Sequence, residues 1–283
     1  MSRVNAMPSP PPGSGSLQVG LPNSNAPRNN NREGQGLAQA FLLAVRDGSR
    51  TQPYRDALAA MDRVTLANEL NTDAKKLAFW LNVYNAVAQL HLQPRDSSGL
   101  TLPGLAGGLL ADAALFNARA CVVAGRSLSL NAIEHGLLRR SRLWWSPWFG
   151  RKLRSSAFEK RFRVDRLDPR IHFALNCAAE SCPPIRFYEA SQIETQLDLA
   201  TSAYLETTVR FDPGNQVLEL PGIFYLFRSD FSGPKGMLLF LNRYRNFTSP
   251  ANPPRFQFQP FLRSARLRHF ALETEALRPK EQG

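Results

Sequence analysis

Between Leu77 and Leu92 the chain is apolar almost throughout, inside a segment, TDAKKLAFWLNVYNAVAQLHL (72–92), that opens with a helix-start signal. Thr72 suits the N-cap and Asp73 suits the positive end of the first turn. A helix that is apolar nearly all round cannot lie on a surface; it has to be enclosed. No run in the sequence reaches the roughly 18–20 consecutive apolar residues of a membrane span, so the enclosure must come from the rest of the chain. Asn82 and Asn85 interrupt the apolar run three residues apart and share one side of the helix. A buried amide without partners costs about 1–3 kcal/mol. These two are therefore clamps on neighbouring loops or parts of a site, and the sequence leaves both uses open.

The flanking segments supply the wrapping. GLAQAFLLAVRDG and YRDALAAMDRVTLANEL carry apolar residues at helical spacing. RACVVAGRSLSL reads as a hairpin about Gly125, with Cys121 as a small core residue. Ser129 caps LNAIEHGLLRR, where Glu134 falls inside an arc made by Leu130, Ile133, Leu137 and Leu138, and His135 flanks it. A carboxylate on a core-facing arc needs a charged or hydrogen-bonding partner. SQIETQLDLATSAYLETTV starts with a capping-box pair, Ser191 and Glu194. NQVLEL reads as a strand ending at Pro221, and GMLLFLNRYRN as a further buried helix. The fold class expected is α+β: a mostly helical single domain over residues 35–247 with a small antiparallel sheet. Residues 1–34, rich in Pro, Ser, Gly and Asn, are expected to form a disordered tail. The Pro- and Arg-rich residues 248–283 are expected to wrap the surface. The N-terminus has no apolar signal-peptide core, which makes the cytoplasm the expected location.

The formal charge of +12 favours encounters with anions without identifying one. Basic residues crowd 139–170, and LWWSPWF within that stretch holds Trp144, Trp145 and Trp148. Such a segment suits an anionic partner, whether a protein, a membrane surface or a nucleic acid. It equally suits a loop whose tryptophans pack inward while its arginines stay solvated. No recognisable nucleic-acid motif is present.

Three cysteines, an odd and sparse count, argue for reduced thiols rather than a disulfide framework. Their spacing does not match zinc-ligand pairs, so neither a metal nor a cofactor is expected. RIHFALNC (170–177) has the composition of a buried strand, which places Cys177 at a strand end in the core. Cys182 follows a polar turn and precedes Pro183 and Pro184, on a rigid loop of the kind where sites concentrate.

Taken together, AFWLNVYNA, SLSLNAIEHGLLR, DPRIHFALNCAAESCPPIRFY, the IFYLFRSDF turn and LLFLNRY occur in an order that resembles the DUF547 family of uncharacterised proteins, over about residues 70–247. The resemblance attaches no activity. It implies importance for Asn82, Asn85, Glu134, His135, Asp168, Arg170, His172, Cys177 and Cys182. Family members often carry a C-terminal tryptophan that RFQFQPFLRSARLRHF lacks, and plant members tend to have serine where Cys182 stands.

Two functional expectations follow. One is a thiol-dependent hydrolase or acyl transferase acting on an amide or thioester. Cys182 is its nucleophile, His135 its general base, Glu134 or Asn82 the group that orients the ring, and His172 a reserve base. Histidine, cysteine and an orienting acid or amide in this chain order match a permuted papain-like arrangement. The other is a non-catalytic interaction module. In it, the same polar residues form a buried hydrogen-bond network that fixes loops, Asn85, Arg170 and Cys177 are binding residues, and the basic tryptophan segment meets an anionic partner.

Overall fold

The computed structural model describes residues 34–92, 114–142, 155–245, 253–262, 264 and 266–272. The expected N-terminal tail (all but Gly34), the tryptophans at 144, 145 and 148, and the C-terminal residues 273–283 lie outside the described residues.

Helix α4 (Asp73–His91) is the axis of the molecule, and fourteen of its nineteen residues are buried. Thr72 Oγ1 accepts from the Lys75 amide at its N-terminus, as the sequence suggests. Asp73 accepts from the amides of Asp165 and Arg166 and so ties a distant loop to the helix start. Helices α1 (Gly34–Asp47), α2 (Gln52–Ala60) and α3 (Arg63–Glu69) cover one side, α1 packing directly along α4. The hairpin β1 (Cys121–Val123) and β2 (Arg126–Leu128) turns at Ala124 and Gly125, both at positive φ. That left-handed turn aims its two amides at the carbonyls of Leu58 and Ala59, supplying acceptors at the end of α2 with the donors they lack.

The hairpin leads into a helix over Ala132–Leu138 whose bonds skip five residues, with Arg139 N–H to Glu134 O at 2.7 Å and Ser141 N–H to Gly136 O at 2.9 Å. Ser129 Oγ accepts from Ala132 N–H at its entry. This is a π-helix, and its wider turn places residues differently from the wheel of an α-helix. Helix α5 (Ala157–Phe162) packs against it. Trp80 of α4 donates its indole N–H to Phe162 O.

The strand expected over residues 170–177 does not form. Pro169–Phe173 is a 3-10 helix, and Ile171, His172, Phe173 and Ala174 are all buried without alternation. Asp168 and Pro169 explain the difference. The Asp168 carboxylate caps the Arg170 amide and the proline presets the first helical position, so a helix-start signal lay beneath an apolar run. Cys177 is accordingly on a loop and half-buried, not a core residue at a strand end.

Helix α6 (Ile193–Thr208) begins without the Ser191–Glu194 capping box: Gln192 occupies the cap with no side-chain bond, and Glu194 reaches Arg170 instead. A second sheet follows, with β3 (Arg210–Asp212) antiparallel to β4 (Val217–Leu220), and β4 parallel to β5 (Arg255–Phe258). The sheet component is therefore one antiparallel hairpin plus one mixed three-stranded sheet, because β5 returns from the far end of the chain. Helices α7 (Gly222–Leu226) and α8 (Gly233–Asn242) pack against this sheet around Phe173, Phe224, Phe231 and Phe240. Mostly helical with small sheets, the described residues hold two neighbouring apolar cores, one around α4 and one around the mixed sheet.

Candidate functional site

One side of α4 carries the polar residues Asn82, Asn85 and Gln89, all fully buried. Asn82 donates to Tyr188 O at 2.8 Å and accepts from Tyr188 N–H at 3.0 Å. Asn85 donates to Ala174 O at 3.0 Å and accepts from Asn176 N–H at 2.9 Å. Each amide thus pairs with main chain as a neighbouring strand would. Gln89 donates to Asn176 Oδ1 and accepts from the Arg268 amide. The stripe spans i, i+3 and i+7, the positions that share one helical face. It holds the segment 174–188, which carries Cys177 and Cys182.

That segment is fixed from its other sides too. Asn176 donates to Pro183 O and accepts from Ala178 N–H, closing a turn in which Ala178 takes a positive φ of 61°. Ala178 O accepts from Arg266 N–H, Glu180 N–H reaches Ser264 O, and Tyr204 of α6 donates its hydroxyl to Ser181 O. Within this frame Cys177 Sγ and Cys182 Sγ stand 2.8 Å apart. Cys182 Sγ also accepts from Cys177 N–H at 3.2 Å.

The two thiols have opposite acidities. Burial alone pushes Cys182 up, but the bonds from the Cys177 thiol and the Cys177 amide hold it below the ordinary thiol range. Cys177 moves well above that range, because its proton is used in the bond to Cys182 and because it is desolvated. The pair therefore keeps one proton tightly and releases the other readily. Cys121, remote in the hairpin, is pushed up to about 12 by burial.

Glu134 and Tyr84 complete the surroundings. Tyr84 of α4 donates to Glu134 Oε2 at 3.0 Å, and the charge of Glu134 acts on both cysteines. Burial raises the Glu134 carboxyl above its usual range; Arg139 and Tyr84 oppose that shift. His135 Nδ1 lies 3.6 Å from Glu134 Oε1 and 2.9 Å from Arg139 Nη1. A guanidinium only donates, so Nδ1 accepts from Arg139 and the ring proton of neutral His135 sits on Nε2.

Arg139 leads to a second buried cluster. Its Nε and Nη2 reach the two oxygens of Asp230, Arg142 Nη1 lies 2.8 Å from Asp230 Oδ1, and His172 Nε2 lies 2.8 Å from Asp230 Oδ2. Burial opposes ionisation of Asp230, but His172 and Arg139 outweigh it and hold its carboxyl well below the usual carboxylate range. His172 is lowered, chiefly by burial, and stacks on Phe227. Arg170 pairs with Asp168, Glu194 and Asp198.

The structure thus brings Cys177, Cys182, Glu134 and Tyr84 together and sets His135 against Glu134 and Arg139. Asn82 and Asn85 lie beneath, bound to main chain. His172 faces Asp230, and Arg170 faces carboxylates at the start of α6. The sequence reading gave no role to Tyr84 or Asp230, and counted Arg139 only among the basic residues of 139–170. Asp230 had a signal, as a lone acid in the apolar IFYLFRSDF. Tyr84 had none, since a tyrosine in an apolar helix reads as core.

Residues 67–205 match the family model described as a protein of unknown function, DUF547. The chain carries a DUF547 domain. No curated protein and no solved structure matches the chain. The DUF547 span contains the asparagine stripe, Glu134, His135, His172 and both paired thiols, whereas Asp230 lies beyond its end.

Proposed function

We propose that the DUF547 domain is a thiol-dependent hydrolase or acyl transferase acting on an amide or thioester, with Cys182 as the nucleophile. The observation that carries this reading is the pair of contacts that Cys177 makes to Cys182 Sγ, through its thiol and its amide, which favour thiolate in a site otherwise hostile to charge. The thiolate attacks the substrate carbonyl carbon, the carbonyl bond breaks toward oxygen, and collapse expels an amine or thiol that takes up a proton. Water then cleaves the acyl–sulfur bond, or another acceptor does so in transfer. Glu134, kept protonated to higher pH by burial, is suited to deliver the proton to the leaving group. His135, with Arg139 on Nδ1, is suited to act as a donor from Nε2 rather than as the base first expected. A thiolate stabilised by its own donors has less need of a base.

The order of His135 before Cys182 is that of a permuted papain-like arrangement, and the analogy rests on order alone. A cytoplasmic setting would suit a site that depends on free thiols. The competing module reading loses Arg139 and Arg170 to internal ion pairs, which leaves fewer basic side chains for an anionic partner.

Brief treatment with iodoacetamide near neutral pH tests the nucleophile. The tryptic peptide 171–186 should carry the label on Cys182 while Cys121 stays unmodified. In folded Cys182→Ala, labelling of that peptide should fall at least about tenfold. An unchanged rate in the variant sinks the assignment. A thioester substrate should in addition leave an acyl group on Cys182 of the wild type.

A further inference from the structure

Two unbonded sulfurs rarely approach to 2.8 Å, and Cys177 and Cys182 do so inside a loop pinned along its length. Both cysteines are free thiols at this distance, with no bond between them. The loop is held by Asn176, by the Ala178–Arg266 and Glu180–Ser264 main-chain bonds, and by the Tyr204 hydroxyl. Pro183 and Pro184 stiffen its exit. A covalent bond between the sulfurs requires closure to about 2.05 Å, a movement well under an ångström and within the reach of side-chain torsions. The pair has no co-ligands for a metal: among the described residues no group of three or more His, Cys, Asp or Glu is placed to hold one.

We propose that Cys177 and Cys182 are a reversible dithiol–disulfide couple, closed by a peroxide and reopened by a small thiol. Cys182 thiolate attacks one peroxide oxygen, the O–O bond breaks, and hydroxide leaves, giving a sulfenic acid on Cys182. Cys177 sulfur then attacks Cys182 sulfur; the S–O bond breaks, the Cys177 proton goes with the oxygen, and water is released. Two thiols are oxidised by two electrons and one peroxide is reduced to two waters. A small thiol reverses the bond by two exchange steps and is itself oxidised to a disulfide. Cys177, half-buried, is the resolving partner and the one nearer solvent; Cys182, 6% exposed, lies beneath it. The consequence that closing the couple silences the nucleophile rests on the function proposed above. The couple itself does not.

The test reads covalent state and needs no substrate. The full chain, first reduced, is treated with a small excess of hydrogen peroxide, denatured, alkylated and digested. No Lys or Arg separates the two cysteines, so both lie in the peptide 171–186. That peptide should become lighter by two hydrogens with neither cysteine alkylated, and alkylated cysteines per chain should drop from three to one. Dithiothreitol should restore all three. In Cys177→Ser, peroxide should instead leave a dimedone-reactive sulfenic acid on Cys182. A peptide 171–186 that stays fully alkylatable, that gains oxygen with Cys177 free, or that joins two chains overturns the proposal. None of these results depends on acyl transfer, so a failed couple and a failed hydrolase are separable.

Discussion

Asn85 makes two bonds to main chain from a position without solvent, one to Ala174 O and one from Asn176 N–H. Removing the side chain leaves a carbonyl and an amide unsatisfied at the base of the thiol loop. Asn85→Ala should therefore lower stability by about 2–4 kcal/mol in chemical denaturation, with two groups at about 1–3 kcal/mol each less some recovery through water. Asn85→Asp should do no better near neutral pH, since an ionised carboxylate cannot donate to Ala174 O. A loss below about 0.5 kcal/mol, the range of an ordinary surface change, would show that these bonds are not what holds the loop. The spacing of Asn82 and Asn85 was legible in the sequence and their shared side follows from it. Gln89, one turn further on the same stripe, was not singled out because near a helix end a glutamine reads as surface. The acidity of Cys182 was not legible at all, because its donors are a neighbouring thiol and an amide whose directions depend on the turn at Ala178.

Helices read from spacing and caps come through where the cap is the only signal: α4 starts at Thr72, and the hairpin turns at Gly125. Errors arise where two signals compete. Asp168–Pro169 outweighs the branched and aromatic residues after it, and Arg170 draws Glu194 away from its capping box. The π-helix was read as an ordinary helix because nothing in AIEHGLL separates a five-residue bond from a four-residue one. Close contacts between elements are equally silent in sequence, and two glycines expose them. A Cβ on Gly136 would meet Glu159 Oε1 at 2.8 Å, the end of a side chain that can swing aside. A Cβ on Gly222, at the start of α7, would meet Gln259 O at 2.8 Å and Phe261 N at 2.9 Å, main chain just beyond β5. Gly222→Ala should thus cost about 1–3 kcal/mol by forcing α7 off that strand. Gly136→Ala should cost less, since only a side chain moves. Comparing the two denaturation midpoints checks this, and the reverse order would place the tight contact at the π-helix instead.

Across the whole molecule, the Asp230 cluster joins the two apolar cores. Arg139 follows the π-helix, which packs on α4, while Asp230 follows α7 and sits among the aromatic residues of the mixed-sheet core. His172, beside Phe173 of that core, completes the link. Gathering Arg139, Arg142 and His172 around one buried carboxylate makes this junction sensitive to acid, and the sign can be worked out for His172 and Asp230. His172 has its folded value below the ordinary 6.5, because burial disfavours its charged form more than Asp230 favours it. Below 6.5 the unfolded chain takes up a proton that the folded one refuses, so stability falls as pH drops through that window toward the folded value. Asp230 is depressed from an ordinary 3.8, so its contribution is fully present above 3.8 and is lost only as pH falls further, through its own folded value. The first loss on mild acidification therefore belongs to His172. His172→Gln retains an amide donor toward Asp230 and cannot titrate. Between about pH 7 and about pH 5, wild-type stability should decline more steeply than that of the variant, by at most about 1.4 kcal/mol per pH unit. Parallel curves would mean that His172 accepts its proton in place, and that the junction between the cores tolerates a charged imidazole.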